Sequence, residues 1–113
     1  MVSNEIPTVL LNAFSLSMLN NPTRALVEFR RLSPEELRQI VQNARVESYI
    51  RHNATVQVLN ELLQVQITPN NGIYSYNNER IIVVALGAPQ RGQEVNVRLQ
   101  DLVIYEVVIH ELE

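Results

Sequence analysis

The sequence predicts an α/β fold: one domain over residues 1–113, built as a mixed β-sheet of about five strands with two main helices packed on it. Three observations predict this. β-rich apolar runs occupy both ends of the chain, two helical periodicities behind start signals occupy its middle, and no repeat, linker or low-complexity segment divides it. The length of 113 residues and the 46% hydrophobic content suffice for a real core, and 19% charge argues against disorder.

Pro7 to Leu11 is apolar and β-rich, which predicts a buried strand leading into Asn12. Asn20-Asn21-Pro22 signals a turn. Arg24 to Arg30 alternates, with Ala25, Val27 and Phe29 on one face and Leu26 among polar residues on the other, as a strand does. Ser33-Pro34-Glu35-Glu36 starts a helix: serine caps, proline takes the first helical position, and Glu36 completes a capping box. Leu37, Ile40, Val41 and Ala44 then recur at helical spacing.

Tyr49 to His52 reads as a short connection. Asn53 suits the cap of a second helix, whose buried stripe is Val56, Leu59, Leu62 and Leu63. Thr68-Pro69-Asn70-Asn71-Gly72 ends that unit. Ile73 to Tyr76 and Arg80 to Leu86 predict a hairpin around Asn77-Asn78. Ile81 to Leu86 is apolar without a break, as a central strand is. Gly87 to Gly92 is a loop, and Val103 to Leu112 a long final strand.

Composition narrows the function. There is no cysteine, hence no disulfide framework and no thiolate metal site. Two histidines and the single aspartate Asp101 form no ligand set, so a metal hydrolase is disfavoured and no metal or cofactor is expected. The three glycines are scattered and make no phosphate-cradling loop, and no nucleophile elbow is present. Met1 to Pro7 lacks the regions of a signal peptide, and no apolar run reaches about 18 residues. The expectation is a soluble cytoplasmic protein, in the host cytoplasm if viral, without a membrane partner. A net charge of −3 disfavours long nucleic acids as partners but leaves room for a small anion in a locally basic pocket. All nine basic residues are arginine, which suits phosphate; codon or lineage bias produces the same composition.

Metal-free RNA cleavage needs a proton donor for the leaving 5′-oxygen and hydrogen-bond donors for the charged phosphorane. Histidine suits the first role and arginine the second. His52 stands at the entry to the second helix, where backbone N–H groups favour a phosphate. A surface or capping histidine fits the same position. Asn12 and Ser15 place short polar groups at a strand end, either toward a ligand or closing an Asx or Ser turn. Arg91 and Glu94 form a loop pair, solvated or functional, and Arg51 faces a phosphate or is an ordinary surface arginine. Phe14, Leu16, Met18 and Leu19 are read as core. His110 alternates within the last strand and receives no role.

Three runs in order carry a more specific signal: Asn12-Ala13-Phe14-Ser15-Leu16-Ser17-Met18-Leu19, Ile50-Arg51-His52-Asn53-Ala54-Thr55, and Gln90-Arg91-Gly92-Gln93-Glu94. Together they resemble the viral ring nucleases, small type III anti-CRISPR proteins that destroy the second messenger cyclic tetra-adenylate. The resemblance implies a homodimer with its cyclic ligand at the subunit interface. It implies catalytic roles for His52, Arg91, Glu94 and Ser15, ligand contacts from Asn12, Arg51 and Gln90, and no cofactor or metal. It implies cleavage to linear di-adenylates bearing 2′,3′-cyclic phosphate, which silences type III CRISPR signalling. A sponge that holds a cyclic nucleotide uncut, and an interaction module that keeps only the fold, are the alternatives.

The match departs from the family at several points. Arg51 stands where the family usually has glycine, and Asn53 where an acidic residue follows the histidine. Gly87-Ala88-Pro89 lengthens the loop before Arg91, and Val95 replaces a glycine after the glutamate. Asn70-Asn71-Gly72 takes the place of a basic residue.

Overall fold

The computed structural model describes residues 7–86 and 101–112. Its elements in chain order are β1 (Thr8–Leu11), a 3₁₀ turn (Leu16–Met18), β2 (Arg24–Arg31), α1 (Pro34–Gln42), β3 (Val46–Ser48), α2 (Asn53–Leu63), β4 (Arg80–Leu86) and β5 (Leu102–Leu112). The five strands form one mixed sheet in the order β2-β5-β4-β1-β3. β1 lies parallel to both β3 and β4, whereas β5 runs antiparallel to β4 and β2. This is the predicted α/β architecture. The predicted loop at 87–92 lies outside the described residues.

β1 and β4 are the interior strands with parallel neighbours, and such strands are buried on both faces. That is why Thr8-Val9-Leu10-Leu11 and Ile81-Ile82-Val83-Val84 read as unbroken apolar runs rather than as alternations. Leu10, Ile82, Val84, Leu102 and Ile104 point to one face and pack under the helices with Leu37, Val41, Val56, Leu59 and Leu63. Val9, Leu11, Ile81, Val107 and Ile109 point to the other. No helix covers that second face among the described residues. It is closed by the irregular segments 12–23 and 64–79, which contribute Phe14, Met18, Leu19, Tyr74 and Tyr76.

Irregular chain against a core must still satisfy its backbone polar groups. Asparagines do much of this here. Asn60 donates Nδ2 to the Ile67 carbonyl and accepts the Ile67 N–H, like a backbone unit. Asn70 donates Nδ2 to the Ser48 carbonyl and accepts the Gly72 N–H. Asn20 donates Nδ2 to the Tyr76 carbonyl, and the Tyr76 N–H reaches the Met18 carbonyl, which joins the two irregular segments.

α1 forms as its start signal predicts. Ser33 Oγ accepts the Glu36 N–H at 3.1 Å, and Glu36 Oε1 accepts the Ser33 N–H at 2.8 Å. The Ser33 backbone N–H, and after it the Ser33 hydroxyl, hold the Glu36 carboxyl below its ordinary pKa. Leu37 and Val41 are buried, and Arg38 crosses to α2 by donating to the Leu62 carbonyl.

Three expectations are corrected. Ile73–Tyr76 is not a strand and makes no hairpin with β4. β4 already has β1 and β5 as neighbours, so it has no free edge. The Asn77-Asn78 turn does exist, with Asn78 at φ 67°, but it joins an irregular segment to β4. The fifth strand is instead β3, a three-residue edge too short to show a period. Asn53 is the first residue of α2 rather than its cap; His52 occupies the cap position, and its carbonyl accepts the Val56 N–H. Leu16 is not core. It opens the 3₁₀ turn and is 80% exposed, whereas Phe14, Met18 and Leu19 pack on the second face.

Candidate functional site

Because β1 and β3 run parallel, their carboxyl ends meet at one edge of the sheet. Crevices at the carboxyl ends of parallel strands are common ligand positions, because the chain leaves neighbouring strands in different directions there. β1 leads into the Asn12 run, and β3 leads through Tyr49 and Arg51 into α2. Between them lies a cleft of about 430 Å³.

The cleft has three sides. Asn12, Ser15 and Ser17 come from the segment after β1. Gly72, Ile73 and Tyr74 come from the irregular segment before β4. Tyr49 and Arg51 lie where β3 gives way to α2. The structure thus brings Arg51 to Asn12 and Ser15, from a distant part of the chain. Arg51 is exposed and supplies the cationic charge among the lining residues.

Ser15 caps the 3₁₀ turn with its carbonyl, which accepts the Met18 N–H at 3.1 Å. Its hydroxyl makes no cap bond and instead lies 2.9 Å from the Ser17 hydroxyl. The two serines therefore present a paired hydroxyl group to the cleft. A hydroxyl can donate one bond and accept two, so the pair can meet phosphate oxygens or ribose hydroxyls.

His52 directly follows Arg51 but is not among the residues that line the cleft. It is exposed at the N-terminus of α2, and its ring makes no capping bond. The imidazole is thus left unused by the helix, at the positive end of the helix dipole. Arg91, Glu94 and Gln90 lie outside the described residues. β4 is parallel to β1 and ends at Leu86. Among the described residues no group of three His, Cys, Asp or Glu side chains could hold a metal ion, and no helix is long and apolar enough to cross a membrane. His110 is exposed on β5.

Sequence reading missed the wall formed by Gly72, Ile73 and Tyr74, and with it Tyr49 and Ser17. Tyr74 is 4% exposed, and its hydroxyl donates to Glu79. Burial, reinforced by that carboxylate, pushes its pKa far above the ordinary tyrosine value. Its ring centroid lies 5.4 Å from that of Tyr49, with the planes tilted by 58°. Asn70 ties this wall to the end of β3 through the Ser48 and Ile50 carbonyls. The legible signal was local: an aromatic two residues before a candidate phosphate ligand. The wall itself carried none, because Ile73–Tyr76 has the pattern of a strand.

Comparison with known proteins places this chain in a family. The family described as STIV B116-like matches residues 8–107. B116 of Sulfolobus turreted icosahedral virus has a similar solved structure, with a TM-score of 0.66 and 22% identity. That likeness covers 89% of this chain and 97% of B116, and at this identity it is a likeness of fold. No curated protein matches the chain.

Proposed function

This chain belongs to the STIV B116-like family, and from that premise we propose that it is a metal-independent ring nuclease. It opens cyclic tetra-adenylate into linear di-adenylates bearing 2′,3′-cyclic phosphate and thereby silences type III CRISPR signalling. The observation that carries this reading is the convergence of Asn12, Ser15 and Arg51 on one cleft, with His52 the next residue after Arg51 at the cap of α2. Those residues come from two of the three runs on which the ring-nuclease resemblance rests.

The chemistry needs no cofactor. The ribose 2′-oxygen attacks the adjacent phosphorus and gives up its proton to water. A new P–O2′ bond forms, the P–O5′ bond breaks, and a proton must reach the departing 5′-oxygen. His52 supplies that proton. Arg91 meets the charge that builds on the phosphorane, and Glu94 acts beside it. Arg51, Asn12 and Gln90 hold the ring so that attacking and leaving oxygens stand in line. Ser15 bonds the reacting phosphate. Two copies related by a two-fold axis present matching groups to a ligand that is itself symmetric.

One observation favours a second reading. Arg51 lines the cleft and His52 does not. An arginine inside the cleft with the acid outside it binds phosphate without cutting, which describes a sponge. Incubation with cyclic tetra-adenylate in EDTA, followed by denaturation and analysis of the released ligand, separates the two. Linear product supports the nuclease and intact bound ligand the sponge. Failure to bind or alter the ring at excess protein removes both.

A further inference from the structure

The roles above leave two cleft-lining aromatics unused, Tyr49 and Tyr74. Tyr49 is half-buried and lines the cleft two residues before Arg51. Tyr74 lines it too, but is almost wholly covered and has its hydroxyl on Glu79. Of the two rings, Tyr49 is the one with surface left for a ligand.

The neighbours of Tyr49 hold the ring and keep it uncovered. Tyr74 backs it at 5.4 Å between centroids. Gly72 lies against its edge: a Cβ at residue 72 would sit 3.5 Å from Tyr49 Cε2 and 3.0 Å from Asn70 Oδ1. A side chain there would grow from the ring edge and press on the oxygen that accepts the Gly72 N–H. Glycine leaves that edge open. Asn70 in turn pins the strip to the Ser48 and Ile50 carbonyls on either side of Tyr49. The ring is therefore preorganised, and a rigid aromatic loses little freedom on binding.

An aromatic platform next to a guanidinium matches the two parts of a nucleotide. Unpaired bases are recognised by stacking on aromatic rings, and phosphates by arginine. We infer that Tyr49 is the platform on which an adenine of the bound ring stacks while Arg51 holds the neighbouring phosphate. This rests on the reading of the cleft as a cyclic-nucleotide site. It adds a specificity-determining residue: a stacking platform favours purines, whose larger π-surface overlaps more of the ring.

Titration calorimetry tests it, with the His52→Ala protein as reference so that the ring is not cut. Tyr49→Phe keeps the affinity for cyclic tetra-adenylate within about twofold, and Tyr49→Leu lowers it by about 5- to 150-fold, the loss of one base–aromatic stack. Cyclic tetra-uridylate binds the reference more weakly, and the preference for adenylate shrinks in Tyr49→Leu. A variant that only loosened the fold would weaken both rings alike. A second measurement needs no disruptive variant. The Tyr49 ring resonance, assigned as the one missing in Tyr49→Phe, moves upfield when cyclic tetra-adenylate is added. An unmoved resonance, or a Tyr49→Leu protein that keeps the reference's affinity and preference, overturns the platform and leaves the nucleotide site standing. A reference protein that binds neither ring overturns the proposed function and the platform with it.

Discussion

Replacing Asn70 with alanine isolates what holds the cleft wall in place. The side chain makes two hydrogen bonds, Nδ2 to the Ser48 carbonyl at 2.8 Å and Oδ1 from the Gly72 N–H at 2.8 Å. The backbone bond from the Asn70 N–H to the Ile50 carbonyl survives the change. A typical bond contributes about 0.5–1.5 kcal/mol net. Gly72 is exposed, so water replaces the second bond in part, and the expected total is about 1–2 kcal/mol. With a slope near 2 kcal/mol/M, the urea midpoint falls by about 0.5–1 M while the slope stays unchanged. Asn70→Asp keeps the acceptor for Gly72 but turns a carboxylate toward the Ser48 carbonyl, so its loss is at least as large at neutral pH. Because Gly72, Ile73 and Tyr74 line the cleft, the proposed function requires that affinity for cyclic tetra-adenylate fall as well. Urea transitions of Asn70→Ala that superimpose on those of the parent would refute the clamp.

Further outcomes are expected, those at His52 and Arg91 from the proposed function and those at Leu59 and Glu36 from the structure. His52→Ala lowers single-turnover cleavage by about 10²–10⁴-fold with ligand affinity kept, since the acid acts only near the transition state; Arg91→Ala lowers both, and parental cleavage by His52→Ala would end the proposed mechanism. Leu59 is fully buried between helix and sheet, so Leu59→Ala costs about 2–5 kcal/mol, read as a lower denaturant midpoint. The Glu36 carboxyl is held below its ordinary pKa by its bonds to Ser33. Its folded pKa is therefore lower than its unfolded one, so the stabilisation is present above the ordinary value of 4.5 and is lost as pH falls through the lowered value. Glu36→Gln then shows a weaker pH dependence of its thermal midpoint across that window, and an unchanged slope there would contradict the linkage.

Of the candidate residues, those with local signals were the legible ones. Asn12 and Ser15 end a strand, and His52 begins a helix, and such positions show in a short window of sequence. Arg51 was legible as a candidate but not as a cleft residue. Its placement depends on β3 pairing with β1, and on Asn70 fastening residues 70–74 alongside. Tyr49 had only its position before Arg51 to mark it, and an aromatic in a connection is core or platform according to what packs against it.

The sequence by itself determined the elements whose signals are short-range. The Ser33–Glu36 capping box, the apolar stripe of Val56, Leu59 and Leu63, and the unbroken runs of β1 and β4 each state their structure within about ten residues. Only the tertiary structure decided which segment became the fifth strand. Ile73–Tyr76 has the better strand pattern, yet Val46–Ser48 is the strand, because a strand needs a free edge to pair with. β4 has none left once β1 and β5 flank it, while β1 keeps one for β3. The same exclusion lays residues 70–76 across the open face of the sheet, and so builds the cleft.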